Sequence, residues 1–123
     1  MAVPILKQGP FLIASIQAAL TDTDVIRLQD DVMQQVGRYR SRGIIVDVTA
    51  LDVMDSFVAR SLRGIAQMTR LRGAETVIVG IQPEVAFAMV QLGMNFEDVQ
   101  TALDLEEGLA LLQSQERPAD GAS

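Results

Sequence analysis

A serine preceded by two aspartates lies in the segment that follows a continuous β-branched run at residues 44–48. Residues 49–57 read TALDVMDSF and include Asp52, Asp55 and Ser56. Ser56 directly precedes a helical pattern, so we predict that its hydroxyl caps the helix by accepting a hydrogen bond from a free N–H group of the first turn. An exposed hydroxyl at that place is also suited to accept a phosphate from a kinase. The two interpretations are compatible.

A phosphate on Ser56 would meet the positive end of a helix dipole and stand beside Asp55. It would add roughly two negative charges, which is enough to disrupt a complementary protein interface. Ser56 is therefore a candidate phosphorylation site as well as a candidate cap, and from the residues alone the cap is the commoner role of a serine before a helix. Thr49 and Ser61 stay open as secondary sites.

Three neighbours are candidates for supporting this site. Asp55 either favours the helix start electrostatically, orients the Ser56 hydroxyl, or helps to place a magnesium ion bound by the kinase. Asp47 lies in an otherwise apolar run, where a carboxylate needs hydrogen-bond partners or a place at the strand end. We expect Asp47 and Phe57 to support the Ser56 loop.

Arginines follow one side of the helix predicted after Ser56. Arg60, Arg63 and Arg70 lie nearly opposite to the apolar stripe that begins with Val58 and Leu62, as the period of 3.6 residues requires. Such a stripe is usually a solvated face. Next to a phosphorylated serine, it is also a candidate docking surface for a partner.

Composition excludes most catalytic chemistry. The 123 residues contain no cysteine and no histidine, Lys7 is the only lysine, and the formal net charge is -6. Thiol nucleophiles, histidine bases and zinc fingers are excluded, and the negative charge argues against nucleic acid as a partner. Asp47, Asp52 and Asp55 lack the phosphate-binding loop that normally completes a magnesium site. We predict a protein without enzymatic activity, metal or cofactor.

The amino-terminal residues MAVPILKQG do not read as a secretory signal. The longest apolar stretch, residues 11–20, is about half the length of a membrane span. We therefore expect a cytoplasmic protein that does not enter the membrane.

Apolar periodicity predicts an α/β fold. Two short strands around the turn at residues 8–10 precede a helix from Thr21 whose stripe runs through Val25, Leu28, Val32, Val36 and Tyr39. Continuous β-branched runs at 44–48 and 76–80 flank a second helix from Phe57 to about Arg72, which is a βαβ unit with parallel strands.

A third helix is predicted from Pro83, with its stripe ending at Leu92 before Gly93. A short edge strand at 99–103 and a last helix capped by Asp104 complete the chain. We predict a mixed sheet of four to five strands in one domain covering residues 1–115, and a disordered tail at 116–123.

Five separated segments carry a resemblance to a known family. They are VPILK at 3–7, SIQ at 15–17, DSFVA at 55–59, GIQP at 80–83 and TALDLE at 101–106. Together they resemble the STAS domain family, and within it the small scaffold proteins of the stressosome. Many antagonists of the broader family have another small hydroxyl residue and a glycine after Asp-Ser, whereas Phe57 and Val58 stand here. That departure is shared with the stressosome branch.

The resemblance implies a scaffold that assembles with itself and with larger STAS-domain sensor paralogues and holds a switch serine kinase. Phosphorylation at the position matching Ser56 would release the kinase, and a PP2C-type phosphatase would reset the switch. A direct anti-sigma factor antagonist is the first alternative. A STAS module that binds a nucleotide or another small molecule is the second, suggested only by the acidic loop.

Overall fold

The computed structural model describes residues 3–93 and 99–115, so the predicted tail at 116–123 lies outside the described residues. Strands and helices alternate after an initial hairpin. In chain order they are β1 (Ile5–Gln8), β2 (Phe11–Ser15), α1 (Asp22–Tyr39), β3 (Gly43–Asp47), α2 (Ser56–Leu71), β4 (Glu75–Val79), α3 (Pro83–Gln91), β5 (Gln100–Ala102) and α4 (Leu105–Gln115).

The five strands form one sheet in the order β1-β2-β3-β4-β5. β1 pairs antiparallel with β2 through the tight turn at Gly9, whose φ of 59° is easiest for glycine. The remaining pairs are parallel, and Ile13, Ile45 and Val77 align across the three central strands. The predicted α/β fold with a mixed sheet is confirmed. None of the described helices is long and apolar enough to cross a membrane.

Side chains of β3 alternate between two cores. Ile44 and Val46 belong to the larger core, which α1, α2 and α3 cover, whereas Ile45 belongs to a smaller core beneath Leu112 of α4. Because both faces of β3 are covered, its sequence is apolar at nearly every position instead of alternating with polar residues.

The start of α1 matches the prediction. Thr21 is the N-cap, its hydroxyl accepts from the Asp24 N–H at 3.1 Å, and the Asp24 carboxylate accepts from the Thr21 N–H at the same distance. The end differs, because Tyr39 was expected in the buried stripe but is 40% exposed. Its ring lies under two cations instead, with the Lys7 Nζ 5.6 Å from the ring centroid.

The other helices fit their predicted stripes with one further correction. Val58, Leu62, Ile65 and Thr69 of α2 are buried, and Asp104 accepts from the Glu107 N–H at 2.9 Å at the start of α4. Leu92, however, is 42% exposed, because α3 ends at Gln91 and Leu92 already leaves the packed face. Each predicted boundary of β3, α2 and β4 is one residue too late.

Arg40 is the single non-glycine residue with positive φ in the described part of the chain, at φ 51° and ψ 47°. This left-handed conformation costs a non-glycine residue roughly 1–2 kcal/mol, and the larger chain entropy of glycine offsets about 0.5–1 kcal/mol of that. We expect Arg40→Gly to raise the free energy of unfolding by about 0.5–1 kcal/mol in urea titrations. Arg38→Gly removes the same charge inside α1 and should lower it by about 1 kcal/mol; stabilisation by both variants would contradict this explanation.

Candidate phosphoacceptor site

The loop between β3 and α2 lies at the carboxyl end of the parallel strands. β3 ends at Asp47, and the Val48 N–H donates to the Val79 carbonyl at the end of β4 at 3.0 Å. Residues 48–55 therefore lie at the same edge of the sheet as the connection from β4 to α3. This edge is where open α/β sheets place their functional groups.

Asp47 holds the first residues of this loop. One carboxylate oxygen accepts from both the N–H and the hydroxyl of Thr49, at 2.9 and 2.6 Å. The side chain is half-buried at the strand end, as the sequence predicted for a carboxylate in an apolar run. Its support of Ser56 stays a prediction, since its two side-chain bonds go to Thr49.

Gln82 joins the second loop to the first, a contact that the sequence alone did not indicate. Its Nε2 donates to the Thr49 carbonyl at 2.6 Å. Gly80 makes this approach practicable: its φ is 76°, and a Cβ there would collide with the Thr49 hydroxyl and lie 3.2 Å from the Thr49 Cα. The only signal in the sequence was that Gly80 and Gln82 both fall in the segment at 80–83 that carries part of the family resemblance.

Asp55, and not Ser56, is the N-cap of α2. The Asp55 carboxylate accepts from the Val58 N–H at 2.8 Å, and Ser56 is the first helical residue. The predicted cap at Ser56 is therefore wrong by one position. Asp and Ser are about equally good caps, so the local sequence does not decide between adjacent candidates.

Ser56 is exposed, and because Asp55 caps α2, the Ser56 hydroxyl is not needed to start the helix. Its hydroxyl makes no hydrogen bond with any residue of 3–93 or 99–115. It opens into a cleft of about 160 Å³ that it shares with Arg60, Arg63 and Leu92. Ser56 and Arg60 are one turn apart and Arg63 nearly two, so all three lie along one side of α2.

Arg70 is placed elsewhere. It lies fourteen residues after Ser56 along α2, about 21 Å away at 1.5 Å per residue. Its guanidinium pairs with Glu75 at the start of β4 at 3.9 Å. The structure thus brings two of the three predicted docking arginines to the serine and leaves the third at the opposite end of the helix.

The remaining candidates differ in access. Ser61 is 7% exposed within α2, so a kinase could reach it only after the helix opens, whereas Thr49 is exposed but donates its hydroxyl proton to Asp47. Phe57 is half-buried against the larger core. Within the described ranges, no group of three or more acidic residues could hold a metal ion, and this includes the aspartates of the loop.

The chain belongs to the STAS domain family, whose model matches residues 2–108. This match includes the sheet, the Ser56 loop and α2. The resemblance predicted from the five sequence segments is confirmed at the level of the family.

Particular relatives point within that family to the stressosome. A serine-to-glutamate variant of Moorella thermoacetica RsbS is 32% identical, with a TM-score of 0.84 over 94% of this chain and 98% of that chain. A chain from a structure of the stressosome, described as a signal integration and transduction hub, is 31% identical with a TM-score of 0.78 over 94% of this chain and all of that one. The RsbT co-antagonist protein RsbRA of Bacillus subtilis is 31% identical over 83 residues, which are 68% of this chain. The chain spans about 30% of the length of RsbRA.

The assignment of the cap to Asp55 can be tested by unfolding. We expect Asp55→Ala to lower the free energy of unfolding by about 1 kcal/mol, because the Val58 N–H loses its acceptor. Asp55→Asn keeps a capping oxygen and should stay close to the unmodified protein. Ser56→Ala should change the free energy by less than about 0.5 kcal/mol. A larger loss for Ser56→Ala than for Asp55→Ala in urea titrations would return the cap to Ser56.

Proposed function

We propose that this protein is a non-catalytic stressosome scaffold in the cytoplasm that holds a switch serine kinase and releases it when Ser56 is phosphorylated. The observation that carries the proposal is the shared cleft of Ser56, Arg60 and Arg63. The hydroxyl is exposed, has no structural duty at the helix start, and stands next to two cations.

Phosphorylation would neutralise most or all of the positive charge of this cleft. Arg60 and Arg63 together contribute two positive charges, and a phosphoserine carries about 1.5 to 2 negative charges at neutral pH. A partner that docks through carboxylates would find attraction before modification and none after it. Guanidinium groups one and two turns away would pair with the phosphate in its place.

The phosphate would not unfold the scaffold. It would sit at the first helical residue of α2, where the unsatisfied N–H groups and the helix dipole favour negative charge. Asp55 keeps its bond to the Val58 N–H. The expected consequence is a change of surface charge on an unchanged fold.

Similar proteins support the choice of partners. RsbRA, RsbRB, RsbRC and RsbRD are RsbT co-antagonist proteins, and the matched RsbS structure replaces a serine by glutamate, a negatively charged residue. In the proposed assembly this chain associates with itself and with larger sensor paralogues of the RsbR kind. The bound kinase supplies the nucleotide, the metal and the base for phosphoryl transfer, and a PP2C-type phosphatase removes the phosphate.

Phosphate mapping tests the acceptor. After incubation with an RsbT-like kinase and ATP, we expect mass spectrometry to place the phosphate on Ser56. Ser56→Ala should lose the label, whereas Ser61→Ala should keep it because Ser61 is buried within α2. Equal labelling of the Ser56→Ala protein would overturn Ser56 as the acceptor.

Retention of the kinase tests the cleft. We expect the double variant Arg60→Gln, Arg63→Gln to bind the kinase at least tenfold more weakly in a pull-down or by interferometry, with a smaller dependence on salt concentration. Arg27→Gln removes an exposed charge from α1 and serves as the control. A loss of the same size in the control would mean that net charge, and not this cleft, holds the kinase.

A further inference from the structure

Three arginines meet at the end of the sheet opposite to Ser56. α1 ends at Tyr39 and α2 at Leu71, and the next residues bring Arg40, Arg42 and Arg72 to one open cleft of about 630 Å³. Arg72 is sixteen residues from Ser56, about 24 Å along the helix. This cleft is therefore separate from the proposed switch.

A buried hydroxyl without a partner borders the same cleft. Ser41 is 3% exposed and lines the cleft, and its Oγ is the one buried side-chain polar atom without a hydrogen bond in the described ranges 3–93 and 99–115. A buried polar group left unsatisfied costs about 1–3 kcal/mol. Among the residues that the structure describes, no carboxylate lines the cleft to accept a hydrogen bond from this hydroxyl. An anion entering the cleft would supply the missing acceptor.

Two local features place Arg40 and Arg72 at the cleft, the left-handed backbone of Arg40 and the absence of a side chain at Gly37. Arg40 adopts the left-handed conformation that favours glycine. The chain tolerates this strain at the end of α1 with an arginine in place of a glycine. The Arg72 guanidinium lies over Gly37, where an added Cβ would be only 2.9 Å from its Nη2. Neither guanidinium forms a hydrogen bond or ion pair with another described residue, whereas Arg42 already has an interaction of its own.

The negative ends of the helix dipoles balance only part of the positive charge of these arginines. The carboxyl ends of α1 and α2 each carry about half a negative charge, which a nearby arginine complements. Arg42 is left out of the count because it already has an interaction, and the two guanidinium groups of Arg40 and Arg72 against these two half charges leave an excess of roughly one positive charge. The chain as a whole has a net charge of -6, so such an excess is a local departure from its composition. This local excess favours an anionic ligand.

We propose that this cleft binds the phosphate group of a small anionic ligand. Arg40 and Arg72 would donate to separate phosphate oxygens, and the Ser41 hydroxyl would donate to a third. A tetrahedral dianion can accept from two guanidinium planes and a hydroxyl together, and such charge-assisted hydrogen bonds are the strong ones.

Titration of the full chain at low salt tests the site, with inorganic phosphate, pyrophosphate and ATP as probes and amide chemical shifts as the signal. We expect saturable binding with the largest shifts around residues 37–42 and 72–73. Arg40→Gly and Arg72→Gln should each weaken binding about tenfold, and Ser41→Ala several-fold. Arg27→Gln removes the same charge from an exposed position of α1 outside both clefts and should change the affinity less than twofold.

The Arg40→Gly variant separates binding from folding, because it should lose affinity while gaining stability. ATP binding more tightly than pyrophosphate would identify a nucleotide as the ligand, and equal affinities would identify the phosphate group alone as the recognised unit. The proposal is overturned if none of the three probes saturates, or if Arg27→Gln weakens binding as much as Arg72→Gln. Binding of a glutamate-rich peptide without binding of any phosphate would likewise overturn it, in favour of an acidic protein partner.

Discussion

Burial of β3 on both faces is the constraint on which the rest of the structure depends. A strand with Ile44 and Val46 in one core and Ile45 in the other needs parallel neighbours on both sides and helices above and below. Parallel neighbours require crossover helices, so each loop between a strand and a helix lies at either the carboxyl or the amino end of the parallel strands. The Ser56 loop and the arginine cleft are the two outcomes, one at each end of the same βαβ unit.

The two ends of the sheet differ in electrostatics because the helices run in the same direction. Helix amino ends lie at one end and helix carboxyl ends at the other. At the carboxyl end of the strands, α2 begins, its Val58 N–H donates to the Asp55 carboxylate, and an added phosphate is favourable there. At the other end, α1 and α2 finish, and arginines follow both of them. This acidic chain thus has positive charge in two clefts, one at the start of α2 and one at the ends of α1 and α2.

Patterns of residue type were sufficient to predict the elements, since periods of two and 3.6 are fixed by backbone geometry. They identified the sheet, the stripe of α2 and the cap at Asp104. They did not decide between Asp55 and Ser56 as the cap, because both residue types satisfy the same N–H groups. Contacts between distant segments, such as Gln82 with Thr49, depend on how loops meet after folding and leave no local periodicity. Tyr39 is a similar case, because one of the two cations near its ring, that of Lys7, comes from β1 and is distant in the sequence.

The helix cap and the proposed phosphate acceptor are adjacent but separate residues, which bears on how often such a protein could be phosphorylated and reset. If one residue had both duties, each modification would remove a hydrogen bond from the helix start and each cycle would pass through a loosened state. With Asp55 holding the helix and Ser56 exposed beside it, a modifying enzyme need not open the backbone. The scaffold could then pass through many rounds of modification with little added risk of misfolding, and the pace of the cycle would be set by encounters with its enzymes.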